Sequence, residues 1–167
     1  MHRPRPLTVE LRPMLFSIVA LAVLICLPIS ATAARASDGV GDRVGRSLPL
    51  DWKRHFALGM IESGNDDRGI GRAGEVSRYQ IHPLVWKAYS TSKEYYDHEI
   101  SLRVAREHWS CLTNYFRQKA GREPTDFDMY VLWNTRFGYY AGKGFEPRRL
   151  PRIVRDRAQR FVNLVNR

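Results

Sequence analysis

Glu62 closes an apolar run, Ala57-Leu58-Gly59-Met60-Ile61-Glu62, followed by Ser63-Gly64-Asn65. If the run is a helix, Gly64 and Asn65 end it and Glu62 sits in its last turn. The negative pole of the helix dipole then disfavours an ionised carboxylate. Apolar neighbours such as Met60 and Ile61 add a desolvation cost of the same sign. Both effects raise a carboxyl pKa, as a general acid near neutral pH requires. Taken alone, the same residues also read as a solvent-facing Glu at a helix end.

Two later segments give Glu62 a context. Gly74-Glu75-Val76-Ser77-Arg78-Tyr79-Gln80-Ile81 begins twelve residues downstream, and Leu132-Trp133-Asn134 follows much later. Gln80 and Asn134 supply amides suited to the N-acetyl and hydroxyl groups of a sugar, or equally to structuring a loop and a helix end. Tyr79 and Trp133 supply aromatic faces, which serve equally well for sugar stacking or for core packing.

The order Glu62-Ser63, then Gly74 with Gln80-Ile81, then Trp133-Asn134 resembles the lysozyme-like superfamily. The closest likeness is to the lytic transglycosylase (SLT-type) and goose-type lysozyme branch, over about residues 50–138. The chain departs from that pattern in three places. Ser77 replaces an inner Gly, Arg78-Tyr79 replaces Leu-Met, and Thr135-Arg136 replaces Ala-Gly. These departures bear on the glycan and the product more than on the fold.

The resemblance implies a mainly α, lysozyme-like single domain with a Gly-rich loop or small β-hairpin after the catalytic helix. It implies that Glu62 protonates the leaving oxygen of a glycosidic bond and then acts as base. The substrate's own 6-hydroxyl then closes a 1,6-anhydro ring, without a second carboxylate. It also implies that Ser63 hydrogen-bonds the Glu62 carboxylate, and it favours Gln80, Trp133 and Asn134 as substrate-binding residues; Tyr79, a departure from the pattern, is a substrate-binding candidate by its ring alone. The expected bond is the β-1,4 link between N-acetylmuramic acid and N-acetylglucosamine in peptidoglycan. Transglycosylation is the first expectation. Hydrolysis by a muramidase- or chitinase-like route, or a non-catalytic glycan-binding module, are the alternatives.

Glu75 is the second candidate catalytic residue. A carboxylate facing Glu62 can position a water for hydrolysis, or raise the Glu62 pKa by like-charge repulsion. Pairing with Arg72 or Arg78 is the competing reading.

The elements that must position these residues are helical. Asp51 is an N-cap for a helix over 52–63, with Phe56/Met60 and Ala57/Ile61 spaced four apart. A structured Gly-rich loop covers 64–79, and a short helix 81–89 has Pro83 in its first turn. Thr91-Ser92-Lys93-Glu94 reads as a capping box opening a long helix to about 119. That helix carries the stripe Leu102, Ala105, Trp109, Leu112 and Phe116. Thr125 and Asp128 open the next helix, bearing Tyr130, Val131 and Trp133. Tyr139, Tyr140 and Phe145 lie in an aromatic, Gly-rich loop that either walls a cleft or packs into the core. The last helix, from about 150, buries Val154, Ala158, Phe161 and Val165.

The N-terminus reads as an address. Basic residues precede the apolar stretch Met14 to Ile29, and small residues at A-x-A spacing follow. The stretch is shorter than the ~20 residues of a spanning helix. The expected layout is a secretory signal peptide (1–36), a flexible lead-in (37–49) and a catalytic domain (50–167). The protein is then exported, periplasmic or extracellular, with no stable membrane span after signal removal.

Cleavage removes Cys26 and leaves Cys111 as a lone, buried thiol. It also removes four Arg and one Glu, lowering the net charge from +10 to +7. Seven Arg and one Asp in residues 148–167 carry much of that excess, which is placed away from the acid. It suits an acidic envelope polymer. No helix-turn-helix or zinc motif points to specific nucleic-acid binding. His55, His82, His98 and His108 lack ligand spacing, so no metal or cofactor is expected. The sequence leaves oligomeric state open.

Overall fold

A computed structural model describes residues 48–167. The expected signal peptide and nearly all of the lead-in lie outside the described residues. The described chain is mainly helical: α1 (Trp52–Glu62), α2 (Pro83–Trp86), α3 (His98–Ala120), α4 (Asp126–Asn134) and α5 (Arg152–Val165). Two short 3-10 turns, Ala141–Lys143 and Pro147–Arg149, join α4 to α5. The expected hairpin is reduced to one antiparallel bridge between Val76 and Ile81. None of these helices is long and apolar enough to cross a membrane.

Helix α1 starts where Asp51 accepts a hydrogen bond from the Arg54 backbone N–H at 3.0 Å. The Arg54 side chain then crosses to Asp126, in the first turn of α4, at 2.6 Å. This clamp sets the start of α1 against the start of α4. The buried face of α1 is Ala57, Leu58 and Gly59. Phe56 and Met60, spaced four apart on another face, are exposed.

Helix α3 carries the expected stripe, and Leu102, Ala105, Trp109, Leu112 and Phe116 are all buried. Its start differs from expectation. The N-cap is Asp97, which accepts from the Ile100 backbone N–H at 2.8 Å. The Thr91–Glu94 segment is irregular, not helical: the Ser92 carbonyl accepts from Trp86 Nε1 at 2.9 Å. Tyr95 meets the Trp86 ring edge-on at 5.0 Å. Closing over Trp86 and using Asp97 as cap outweigh the local capping-box pattern. Helix α2 is likewise shorter than expected and ends at Trp86.

The capping box of α4 forms as read. Thr125 Oγ1 accepts from the Asp128 backbone N–H at 3.2 Å, and Asp128 accepts from the Thr125 backbone N–H at 2.9 Å. Buried Asp128 also accepts from Tyr140 Oη at 2.8 Å and pairs with Arg122 at 2.8 Å. Tyr140 is fully buried, and Phe145 packs on Phe116 with ring centroids 4.7 Å apart. That aromatic loop therefore belongs to the core.

Helix α5 packs on α4 and α1. Its face of Ala158, Phe161 and Val165 is buried, with Val154 packed at the edge. Phe161 stacks on Tyr130 of α4, centroids 5.3 Å apart. Burying such a ring contributes about 1.5–3 kcal/mol. Cys111 is half-buried on α3 and is disulfide-bonded. The lone-thiol expectation concerns a chain without Cys26, which lies outside the described residues.

Candidate active site

Glu62 is the last residue of α1, and its side chain is only 8% exposed. Three elements surround its carboxylate. From α4, Tyr130 Oη donates to Oε1 at 2.8 Å. Asn134, the last residue of the same helix, brings its side-chain amide near the carboxylate and favours its ionised form. From α5, Arg157 Nη2 approaches Oε2 at 3.4 Å. From the loop after α1, Glu75 acts through space as a like charge.

These neighbours pull in opposite directions. Burial raises the Glu62 pKa above the ordinary carboxyl value. Tyr130, Arg157 and Asn134 oppose that rise, while Glu75 adds to it, and the net shift is upward. Tyr130 itself is pushed far up, first by burial and then by the neighbouring carboxylate, so it remains a hydroxyl donor. Desolvation is the main cause of the upward shift.

The loop between α1 and α2 is held by the residues the motif singled out. Ser63 Oγ donates to the Arg78 carbonyl at 2.9 Å and accepts from the Asp66 backbone N–H at 3.0 Å. It ties the helix end to the loop, whereas a bond to Glu62 was expected. Gln80 Nε2 donates to the carbonyls of Gly69 at 3.1 Å and Ser77 at 3.0 Å. Both amide hydrogens are thus committed inside the loop. Gln80 reaches this position with φ near +50°, a strained left-handed conformation. A Cβ on Gly71 would collide with the ends of Glu75 and Gln80, so only glycine lets these side chains sit there.

Arg78 is bound by Asp67 through a two-pronged contact, Nη2 to Oδ2 at 2.6 Å. Glu75 instead accepts from the Ala73 backbone N–H at 3.0 Å. The ion pair of Glu75 with Arg78 is therefore not made, and the carboxylate stays in reach of Glu62's field.

The two aromatic candidates are structural. Tyr79 is fully buried, and burial pushes its hydroxyl up to about 12. Its ring has no free face for a sugar, which corrects the expected stacking role. Trp133 Nε1 donates to the Tyr79 carbonyl at 3.2 Å. Its ring lies 5.1 Å from His108 and 6.2 Å from Trp109. Half-buried, it joins loop to core. Of the motif residues, Glu62, Glu75 and Asn134 converge, while Ser63, Tyr79, Gln80 and Trp133 build the frame around them.

Tyr130 and Arg157 are the site residues that sequence reasoning did not select. Tyr130 precedes Asn134 by one helical turn, so the two share a face of α4. Arg157 follows Val154 by three, on the flank of the buried stripe of α5. The placing of the C-terminal arginines away from the acid is thus corrected for Arg157.

An open cleft of about 460 Å³ lies beside the loop, bordered by Asp67, Gly69, Ile70, Ser77, Tyr95 and Tyr96. Glu62, Glu75, Tyr130, Asn134 and Arg157 are not among the residues that line it. Among the described residues, no group of three His, Cys, Asp or Glu is placed to hold a metal ion. No family model, curated protein or solved structure matches this chain.

Proposed function

We propose that the protein is an exported, lysozyme-like enzyme that cleaves the β-1,4 bond between N-acetylmuramic acid and N-acetylglucosamine in peptidoglycan. Glu62 is its acid and then its base. The observation that carries this reading is the enclosed Glu62 carboxyl, raised in pKa, hydrogen-bonded by Tyr130 and neighboured by Asn134 from a separate helix. A buried acid at the end of one helix, facing an amide at the end of another, suits protonation of a glycosidic oxygen.

Lytic transglycosylation is the preferred outcome. It needs only one carboxyl, and the sugar's 6-hydroxyl serves as nucleophile. Hydrolysis is the second reading, favoured by Glu75, a carboxylate near enough to influence Glu62. Incubation of the purified protein with peptidoglycan, followed by mass spectrometry, tests both. Anhydro-muramyl ends are expected for wild type, and Glu62→Gln should lower the rate by at least about 100-fold. Reducing ends would establish hydrolysis. An intact polymer, or equal digestion by Glu62→Gln, would overturn catalysis by Glu62, and binding without turnover would leave a glycan-binding module.

A further inference from the structure

The two oxygens of Glu62 are not equivalent. Oε1 accepts a short hydrogen bond from Tyr130, whose hydroxyl stays protonated. An oxygen that accepts that bond is poorly placed to carry the carboxyl proton. The transferable proton therefore belongs on Oε2. Arg157 lies beside that second oxygen at 3.4 Å. That distance exceeds the 2.7–2.9 Å typical of a tight charge-assisted bond. The guanidinium side chain is 38% exposed, against 8% for Glu62, so it approaches from the solvent side. Among the described residues, Glu62 is the acid with which Arg157 forms an ion pair.

We infer that Arg157 is a positioning residue for the charged half of the catalytic cycle: it engages Oε2 when Glu62 is ionised and releases it when Glu62 is protonated. The inference rests on the acid–base reading of Glu62 given above. In the first step the Oε2 proton passes to the glycosidic oxygen. The C1–O bond breaks, its electron pair leaves with that oxygen, and Glu62 becomes a carboxylate beside an oxocarbenium-like sugar. In the second step the carboxylate takes the proton of the attacking hydroxyl, whose oxygen bonds to C1. Between the steps a buried negative charge needs a partner, and a cation at Oε2 supplies it. A guanidinium locked tightly on Oε2 would hold the carboxyl ionised and disable the first step. The loose contact suits a group that must favour the anion without forbidding the acid.

Among the described residues, the groups facing Glu62 are Tyr130 and Asn134 from α4, Arg157 from α5 and Glu75 from the loop. Arg157 is the one cation among them, so its removal has a defined sign. Arg157→Met and Arg157→Lys are compared with wild type by carbon-13 NMR titration of the Glu62 carboxyl, together with pH–rate profiles on peptidoglycan. In Arg157→Met the Glu62 titration should move to higher pH. The acid limb assigned to Glu62 should move with it, and kcat should fall about tenfold with little change in KM. Arg157→Lys should restore most of both. An unshifted Glu62 titration in either folded variant, or equal activity losses in Met and Lys with unshifted profiles, would overturn the inference. If Arg157→Met does not fold, Arg157→Gln supplies the neutral comparison. The NMR readout needs no activity: wild type that fails to cleave peptidoglycan sinks the proposed function, while the titration still decides whether Arg157 controls Glu62.

Discussion

Glu62 combines burial with a hydroxyl donor, and the pair has separable consequences. Replacing Tyr130 by Phe keeps the ring stacked on Phe161 and removes only the donor to Oε1. With that bond gone, the Glu62 titration should move to higher pH, and stability near neutral pH should fall by about 1–3 kcal/mol because the buried oxygen loses its partner. NMR titration and urea unfolding check the two effects. Glu62 also carries a stability sign of its own. Its folded pKa lies above the ordinary 4.5, so the folded chain holds the proton more tightly. That contribution is full below the unfolded value and is lost as pH rises through the folded one. Glu62→Gln escapes the loss. Its melting temperature relative to wild type should therefore be more favourable at pH 7 than at pH 4. A difference that does not change with pH would refute the raised pKa.

At the scale of elements, the loop after α1 and the face of α5 hold the site. Gly71 leaves just enough room for Glu75 and Gln80. In Gly71→Ala both side chains must move, and Gln80 loses its bonds to Gly69 and Ser77. Far-UV circular dichroism should stay unchanged, because no helix is touched, while activity should fall at least tenfold. Helix α5 reaches the site through Phe161, which packs between Tyr130 and Trp109. Phe161→Ala should cost about 3–5 kcal/mol in chemical unfolding. The loop motif was visible in the sequence as spacing, but the sequence could not say which members face the carboxylate. Ser63, Gln80 and Trp133 are polar or aromatic in ways that suit either a ligand or a frame. Backbone carbonyls of Arg78, Gly69, Ser77 and Tyr79 claim their donors, and those carbonyls come together only when the loop closes.

For the whole molecule, acid stability follows from two groups, the half-buried His108 and the buried Asp128. His108 packs between Tyr89 and Trp133, and burial lowers its pKa from 6.5 to about 4. The unfolded chain takes up that proton first as pH falls, so stability should decline between pH 6.5 and about 4. Burial works to raise the Asp128 pKa, but hydrogen bonds from Arg122, Thr125 and Tyr140 outweigh it and hold the carboxyl below 3.8. Its contribution is present above the unfolded value and is lost as pH falls through the lower folded one. Urea midpoints measured from pH 8 to 2 should show both limbs. In His108→Phe the upper limb should flatten while the lower one persists.

The sequence by itself determined the helical periodicity, the caps Asp51 and Thr125, the apolar stripes of α3 and α5, and Glu62 as the residue of interest. These are local properties: spacing fixes which side chains share a face, and a cap needs only residues within one turn. Tertiary structure decided what surrounds the carboxylate. Tyr130 and Arg157 stand 68 and 95 residues from Glu62 in the chain. No periodicity links positions so far apart. Their convergence depends on how α4 and α5 pack against α1, and that packing also decides how much water the carboxyl loses. The shift of the Glu62 pKa comes chiefly from that lost water, so the chemistry suggested by one residue is set by helices remote from it.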